Sequence, residues 1–292
     1  FDGDVPNATY PTFDEIEKGE IRIDNNSVDG AYNPLGELRF FADDLVRRTN
    51  SITVEDAVLK NEALFTGYFF GGIARYFYAT YFGLNPDQGG GVIDNGPFIP
   101  SSDMYDLALE KFNAALPLAK DDYTKRMVNS LIARTALYKG DNALAATHAA
   151  QGLVEGDEPF QSLHNALSDN YYWQQAGVPR SQFVVDFRFK DYVDADPKEA
   201  ARIPLAVRKG NSGKDFYYQV KYPIDGSPLP TITWQENNLM IAELVLRGNG
   251  SGDPLALVNA VRTSHGLDAL PAVDLDIIYL ERDKELFLQG QR

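Results

Sequence analysis

Paired helical segments with a turn between them recur along this chain, and they constrain its fold more than any other sequence feature. Apolar residues follow the helical period over 128–154, with a Gly140-Asp141 break in the middle. A second such segment covers 239–265 and is interrupted by a glycine-rich turn at 248–252. The pattern predicts a mainly α-helical protein that contains helical hairpins.

Small residues inside the first hairpin indicate how its helices pack. Ala133 and Ala145 are twelve residues apart, a spacing that lets paired helices approach closely in tetratricopeptide repeats. Any antiparallel helical hairpin would share this pattern. The spacing therefore favours a tetratricopeptide-like helical-repeat scaffold without requiring one.

Capping residues and apolar periodicity predict four further helices. Their predicted starts, in chain order, are Asn33-Pro34, a capping box formed by Thr53 and Asp56, Ser102 or Asp103, and Ile277. Gly83 is predicted to end the second of these helices as a C′ residue.

The second of these helices raises the question of a membrane span. It is almost wholly apolar from Ala63 to Leu84, which is long enough to cross a bilayer. Arg75 lies near its middle, and inserting such a residue into lipid costs about 2.5–3.5 kcal/mol. A helix buried among other helices is therefore favoured over a membrane span.

The region from 156 to 234 differs from the rest of the chain. It is rich in Gly, Pro, Asn and Tyr, and its strand candidates are short, at 183–187 and 216–221. The long stretches between the strand candidates are predicted to be irregular loops. Loops of this length in a compact protein are usually functional or mobile.

Composition excludes several classes of function. The chain has 42 Asp and Glu against 27 Lys and Arg, and the formal net charge of −15 argues against nucleic-acid binding. It has no Cys and three His, which argues against thiolate chemistry and multi-histidine metal centres. The sequence contains no nucleophile elbow and no complete phosphate loop. The sequence therefore offers no candidate for these kinds of chemistry, and we predict no metal site and no cofactor.

Acidic residues form two patterns that could carry chemistry. Glu281 and Glu285 lie four residues apart, but the interleaved basic residues favour an intrahelical ion-pair ladder or a packing signature over a glycosidase pair. Asp191, Asp194 and Asp196 lack the spacing and the central Gly of an EF-hand. A solvated acidic loop is therefore favoured over a Ca²⁺ site.

Three segments, in order, resemble the SusD/RagB family of nutrient-binding outer-membrane lipoproteins. They are an aromatic helix from Asn61 to Gly83, an Ala-rich helix and turn from Ala133 to Asp141, and a C-terminal run from Ala242 to Arg292. The end of that run, from Glu281, is similar to the family signature Glu-Arg-x-x-Glu-Leu-x-x-Glu-Gly-x-Arg and is the most specific of the three. Gln289 stands where the family usually has Glu, and Thr66-Gly67 replaces its usual Arg-Ala.

The resemblance implies a fold and a function. The fold would be a single SusD-like domain over 1–292, with a tetratricopeptide-like scaffold at 1–155 and 236–292 and a loop-rich ligand subdomain at 156–235 containing a few short strands. The function would be non-catalytic capture of an oligosaccharide or a peptide at the cell surface, followed by delivery to a TonB-dependent outer-membrane transporter. The lipid anchor that attaches such proteins to the outer membrane would lie outside this chain, which has no Cys.

Aromatic residues in the loop-rich region are the candidate ligand contacts. Aromatic faces pack against the C–H faces of sugar rings, and the polar tips of Tyr and Trp add hydrogen bonds. The candidate binding residues are Tyr171, Tyr172, Trp173, Tyr192, Tyr217, Tyr218 and Trp234. Neighbouring amides that could bind sugar hydroxyls are Asn170, Gln174, Gln175, Asn211 and Gln219.

Two alternatives stay open at this level. The loop aromatics could instead anchor the loops onto the helices. A helical-repeat scaffold could also bind another protein through its concave face, in place of a solute.

Overall fold

The computed structural model describes residues 3–4, 11–83, 89–91, 97, 99–177, 183–209 and 213–291. Within them the protein is mainly α-helical, as predicted. The α-helices are α1 Pro11–Lys18, α2 Asn26–Ser51, α3 Ala57–Phe77, α4 Ser101–Ala115, α5 Asp122–Lys139, α6 Asn142–Ala149, α7 Tyr171–Ala176, α8 Phe187–Ala195, α9 Trp234–Leu246, α10 Pro254–Ser264 and α11 Leu275–Glu285. A π-helix covers Tyr78–Phe82, and 3₁₀-helices cover Leu116–Leu118 and Pro197–Ala201.

Short strands form two-stranded antiparallel sheets. The strands are β1 Gly3–Asp4, β2 Gly89–Gly91, β3 Ile99–Pro100, β4 Phe160–Ser162, β5 Val184–Val185, β6 Leu205–Lys209, β7 Asp215–Gln219 and β8 Leu229–Ile232. The pairs are β1 with β5, β2 with β3, β4 with β8, and β6 with β7. The two predicted strands are confirmed as β5 and β7, both shorter than predicted.

The chain divides into two compact units. The helical unit comprises 28–157 and 247–251, and the loop unit comprises 1–27, 158–246 and 252–292. The loop unit contains α9, α10 and α11 together with the loop-rich region. The single SusD-like domain, with its division into scaffold and ligand subdomain, stays a prediction.

Close helix packing in the helical unit depends on small residues. Ala133 on α5 and Ala145 on α6 are fully buried, as the hairpin pattern predicts. A Cβ atom on Gly72 would lie 2.6 Å from Phe112 Cε1, so α3 and α4 can approach this closely only with glycine there. The predicted buried helix is confirmed in α3, where Phe69 and Tyr76 are almost wholly buried.

The arginine of the apolar helix has a charged partner. Arg75 donates to Asp43 Oδ2 at 2.7 Å, and Lys111 Nζ lies 3.1 Å from the other oxygen of that carboxylate. Among the residues that the structure describes, no helix is both long enough and apolar enough to span a bilayer.

All four predicted helix starts differ from the structure, the last by two residues, since α11 begins at Leu275 after its cap Asp274. Helix α2 begins seven residues before Asn33, because Asn25 Oδ1 accepts the Ser27 N–H at 3.0 Å, and Pro34 lies inside the helix. Helix α3 is capped by Asp56 alone, whose Oδ1 accepts two backbone N–H groups. Helix α4 begins at Ser101, directly after Pro100, and has no side-chain cap.

Glycine ends the predicted hairpin helices as expected. Gly140 adopts a left-handed φ of 92° after α5, and Asp141 then caps α6 by accepting the Leu144 N–H at 3.0 Å. Gly266 has a φ of 75° after α10. Gly83 also ends its helix, but its φ is −88°. Glycine is needed there because a Cβ atom would lie 2.0 Å from Ser101 Oγ.

Candidate functional site

A short helix carries three of the predicted ligand-binding residues. The sequence predicts a loop at 171–176, but these residues form α7. Asn170 caps the helix by accepting the backbone N–H groups of Tyr172 and Trp173 at 2.9 and 3.1 Å. The sequence did not reveal the start of this helix, because the run Tyr-Tyr-Trp that follows the capping residue is not a helical pattern of apolar residues.

Side chains on α7 point to different surroundings. The Tyr172 ring stacks on Tyr222 with centroids 5.7 Å apart. Both Tyr172 and Trp173 pack against a buried cluster that includes Val185, Phe189 and Phe287. Tyr171, at the start of the helix, keeps 56% of its surface exposed. Of the three aromatics, Tyr171 is therefore the one that presents most surface to a ligand.

The remaining candidate aromatics are held by the fold. Tyr218 and Trp234 are buried, and Tyr217 contacts the Phe187 ring edge-on at 5.8 Å. The Tyr192 hydroxyl donates to Asp283 Oδ2 at 3.0 Å. Burial and this hydrogen bond raise the pKa of Tyr192 to about 12. The binding roles assigned to all seven aromatic residues stay predictions.

Two of the amide side chains near these aromatics bond to backbone, whereas Gln175 donates to the side-chain oxygen of Gln174 at 2.6 Å. Asn170 is fully buried and donates to the Ser227 carbonyl oxygen at 2.8 Å. Gln219 donates to the Tyr172 carbonyl oxygen at 3.1 Å and accepts the Tyr222 N–H at 2.8 Å. Asn211 lies outside the described residues. Asn170 and Gln219 thus fix the loops around α7.

Two loop segments next to α7 carry exposed apolar residues. The segments run from 160 to 171 and from 222 to 232, and β4 and β8 join them. The Asn170 N–H donates to the Asp225 carbonyl oxygen at 2.8 Å, which holds the segments together at a second point. The exposed fractions of their large side chains are 80% for Leu163, 100% for Leu167, 56% for Tyr171 and 60% for Ile224.

We call these exposed residues, with the half-buried Asp169 and Asp225, the loop surface. It combines apolar side chains with carboxylates on two segments that hydrogen-bonded backbone holds side by side. Sequence reasoning identified Tyr171 but missed the other members. The available signal was Leu163, Leu167 and Ile224, which are apolar residues in a region otherwise rich in turn formers.

The C-terminal signature residues form a buried ion network. Glu281 accepts from Arg202 Nη2 at 2.7 Å and from Arg262 Nη1 at 2.6 Å. Lys284 donates to Glu199 Oε1 at 2.9 Å, and His265 Nε2 lies 2.8 Å from Glu285 Oε2. The two carboxylates of the Glu281–Glu285 pair thus meet partners from other parts of the chain.

This network corrects one sequence interpretation. The intrahelical ladder is not the main arrangement, because Glu281 and Glu285 make contacts of 2.6–2.8 Å with Arg202, Arg262 and His265, whereas Lys284 Nζ on the same helix lies 3.8 Å from Glu281. The packing signature is confirmed. Burial alone would raise the pKa of Glu285, but contact with His265 and the charge of Arg202 lower it below its ordinary value. Buried, ion-paired carboxylates of this kind give no open cleft for glycoside hydrolysis.

The predicted acidic loop is wrong for Asp191 and Asp194, which lie on α8. Asp194 pairs with Lys190, and Asp196 caps the 3₁₀-helix that starts at Pro197. Within the described part of the chain, no three acidic or histidine residues are grouped so that they could hold a metal ion.

A second exposed aromatic region lies on α2 in the helical unit. Phe40 and Phe41 are both more than half exposed, and their rings meet edge-on with centroids 5.6 Å apart. A shallow groove of about 600 Å³ is lined by these rings and by Asn33, Gly36 and Glu37.

Comparison with known proteins identifies the fold. No family model matches the chain, and no curated protein matches it either. A SusD-like carbohydrate binding protein from Bacteroides vulgatus is 17% identical at a TM-score of 0.72, over 99% of this chain and 73% of that chain. Surface glycan-binding protein A from Bacteroides uniformis is 15% identical at a TM-score of 0.72, over 100% of this chain and 78% of its own.

A third structure, of a protein with a xylogluco-oligosaccharide, is 14% identical at a TM-score of 0.75, over 99% of this chain and 74% of that chain. At these identities the shared property is the fold. The predicted resemblance to SusD-like proteins is therefore confirmed at the level of the fold.

Proposed function

We propose that this chain, which has the SusD-like fold, is a non-catalytic cell-surface protein that captures an oligosaccharide at the loop surface. The observation that carries the proposal is the exposure of Leu163, Leu167, Tyr171 and Ile224 on two joined loop segments. Single exposed apolar residues are ordinary, but several on adjoining segments mark an interaction surface.

The chemistry of the loop surface suits a sugar. An exposed Tyr ring can pack against the C–H face of a pyranose, and its hydroxyl can hydrogen-bond to a ring substituent. The Asp169 and Asp225 carboxylates accept hydrogen bonds from hydroxyl groups. The similar proteins include a surface glycan-binding protein and a structure with a xylogluco-oligosaccharide, which supports an oligosaccharide over a peptide.

Absence of catalysis is part of the proposal. Glu281 and Glu285 are the carboxylate pair with helical spacing in the family signature, and both are buried in the ion network. Glycosidases need two carboxyl groups on either side of a substrate-filled cleft. We expect the bound oligosaccharide to be recovered unchanged.

A glycan array followed by calorimetric titration tests the proposal. The array should carry cello-, xylogluco-, manno- and galacto-oligosaccharides together with peptides. We expect saturable binding of an oligosaccharide, weakened by Tyr171→Ala and unaffected by Tyr279→Ala, an exposed tyrosine on α11. Binding of peptides alone, or cleavage of the hit during titration, would contradict the proposal.

Delivery to a transporter is the second part of the proposal. We propose that the native protein is held at the outer membrane by a lipid anchor outside this chain and passes its ligand to a TonB-dependent barrel. The SusD-like fold supports this assignment. Affinity purification of the tagged native protein from solubilised outer membranes should recover the barrel. Recovery of the protein without any such barrel would contradict it.

A protein-binding scaffold is the alternative function, and one observation favours it. The groove beside Phe40 and Phe41 on α2 exposes two aromatic rings together. Under this alternative, the protein would bind no oligosaccharide, and Phe40→Ala/Phe41→Ala would abolish capture of the protein partner. Under the main proposal, the same variant would keep glycan binding and Tyr171→Ala would lose it.

A further inference from the structure

The two segments that form the loop surface have an unbalanced charge. Residues 160–171 and 222–232 contain Asp169 and Asp225 and no Lys or Arg. The Asn170 N–H donates to the Asp225 carbonyl oxygen at 2.8 Å, and Asp169 directly precedes Asn170. The main chains that bear the two carboxylates are therefore neighbours.

Neither carboxylate has an ion-pair partner among the described residues. Asp225 accepts the Gly226 N–H at 2.7 Å, a neutral donor. Lys221 directly precedes the second segment, and its ammonium donates to the Phe287 carbonyl oxygen at 2.7 Å. Lys190, which lies 5.3 Å from the Tyr217 ring, is paired with Asp194.

We infer that the oligosaccharide bound at the loop surface is uncharged or carries amino groups, and that uronate, sulfated and sialylated glycans are excluded. This inference rests on the proposed function, because it names the ligand class of the same surface. An anionic substituent bound on the two segments would be repelled by Asp169 and Asp225, and the segments themselves carry no Lys or Arg that would offset this repulsion. The chain's net charge of −15 adds repulsion at longer range.

Neutral sugars meet the same oxygens favourably. A sugar hydroxyl donates to a carboxylate oxygen, and a hydrogen bond with one ionised partner is stronger than a neutral one. An ammonium group on an amino sugar would be attracted by the two carboxylates that repel an anion. The carboxylates thus select ligands by charge, while Tyr171 and the exposed aliphatic residues supply contact area.

The test uses matched ligands. For the linkage that the array selects, the neutral tetrasaccharide and its counterpart with C6 oxidised to a carboxylate are titrated by calorimetry at constant pH. We expect the neutral form to bind at least about tenfold more tightly in low salt. Raising the salt concentration to about 0.5 M should narrow the difference, because it shortens the screening length.

Variants show where the selection arises. Asp169→Asn/Asp225→Asn should reduce the preference for the neutral form to about threefold or less, since the local repulsion is removed. Asp191→Asn/Asp276→Asn changes the net charge equally at exposed carboxylates of α8 and α11, and should keep the preference. An unchanged preference in the first variant would overturn the assignment to these two carboxylates.

The glycan array distinguishes a failure of the charge inference from a failure of the proposed function. Hits confined to neutral and amino glycans support both. A uronate, sulfated or sialylated glycan as the tightest ligand overturns the charge inference and leaves glycan capture standing. No glycan binding at all contradicts the proposed function, and the inference fails with it.

Discussion

Tyr171 and Trp173 are two residues apart on α7, yet their side chains have different surroundings. Tyr171 is more than half exposed, whereas Trp173 packs against the buried cluster that includes Phe189 and Phe287. Each residue of an α-helix is rotated by about 100° from the one before it, so residues two apart point about 200° away from each other. Two aromatics in one short helix can therefore serve binding and packing respectively.

The packing of Trp173 leads to the first prediction. We expect Trp173→Ala to lower the free energy of unfolding by about 2–4 kcal/mol, because truncation leaves a cavity beside the buried cluster. Urea unfolding of both proteins measures this loss. Calorimetry on the folded variant should show oligosaccharide affinity within about threefold of wild type. Normal stability with a large loss of affinity would return Trp173 to the binding surface.

The candidate site was partly visible in the sequence. The excess of aromatic residues in the loop-rich region predicts Tyr171 as a ligand contact, and Tyr171 is exposed in the structure. Asn170 and Gln219 look like sugar-binding amides in the sequence because amides near aromatics suit both roles. Asn170 donates to the carbonyl oxygen of Ser227, 57 residues away, and Gln219 donates to that of Tyr172, 47 residues away, and no local pattern reveals either partner.

At the scale of elements, glycine decides how closely α2 and α3 pack. A Cβ atom on Gly67 would lie 2.5 Å from Val46 Cγ2 and 2.8 Å from the Ala42 carbonyl oxygen. We expect Gly67→Ala to lower the free energy of unfolding by about 1–3 kcal/mol through overpacking.

Gly30, in the first part of α2, supplies the matched control. A Cβ atom there would meet nothing within 4 Å. Gly30→Ala should raise the free energy of unfolding by about 0.5–1 kcal/mol, because alanine favours the helix. Urea unfolding of both variants checks the pair. Equal effects of the two substitutions would contradict the proposed α2–α3 packing.

For the C-terminal signature, the sequence predicted ion-pair partners within one helix, whereas the structure shows partners on other elements. Glu281 lies on α11, but Arg202 precedes it by 79 residues and Arg262 by 19. Spacing within α11 predicts only neighbours three or four residues away. The sequence therefore identifies the signature and its structural role, whereas the partners depend on tertiary packing.

Removal of one charge from this network is the third prediction. Glu281→Gln keeps the side-chain volume and leaves Arg202 and Arg262 without their shared carboxylate. We expect a loss of about 3–5 kcal/mol, the usual cost of breaking a buried ion pair on one side. Glu62→Gln on the exposed face of α3 is the control and should change stability by less than about 0.5 kcal/mol. Similar small effects from both would contradict the structural role of the network.

At the scale of the whole molecule, paired carboxylates make stability depend on pH. Burial alone would raise the pKa of Glu199 and of Asp43, but the cations beside them lower both below their ordinary values. Glu285 shifts the same way beside His265 and Arg202. A lowered pKa in the folded state stabilises the fold above the unfolded-state pKa of about 4, and protonation removes that stability.

The fourth prediction follows from the sign of these shifts. Stability should fall most steeply as the pH drops below about 4, through the pKa values of the folded state. Urea midpoints measured from pH 7 to pH 3 test this. Glu199→Gln should start less stable and show a shallower acid slope. A slope equal to that of the wild type would contradict the role of Glu199.

The overall fold was more predictable than its boundaries. Caps such as Gly140-Asp141 and Asp253-Pro254 act locally, so the hairpins α5–α6 and α9–α10 follow from sequence alone. Helix α2 starts earlier than predicted because Asn25 caps it, and Pro34 is tolerated inside. The grouping of α9–α11 with the loop-rich region depends on long-range contacts that no local pattern carries.

Calorimetric titration of Tyr171→Ala is the most direct test of the central claim, that the loop surface captures an oligosaccharide. With the tightest oligosaccharide from the array, we expect affinity to fall about tenfold to hundredfold, the cost of one lost aromatic contact of about 1–3 kcal/mol. The melting temperature should stay near that of wild type, because Tyr171 is more than half exposed. Unchanged affinity in a folded Tyr171→Ala protein would contradict the claim.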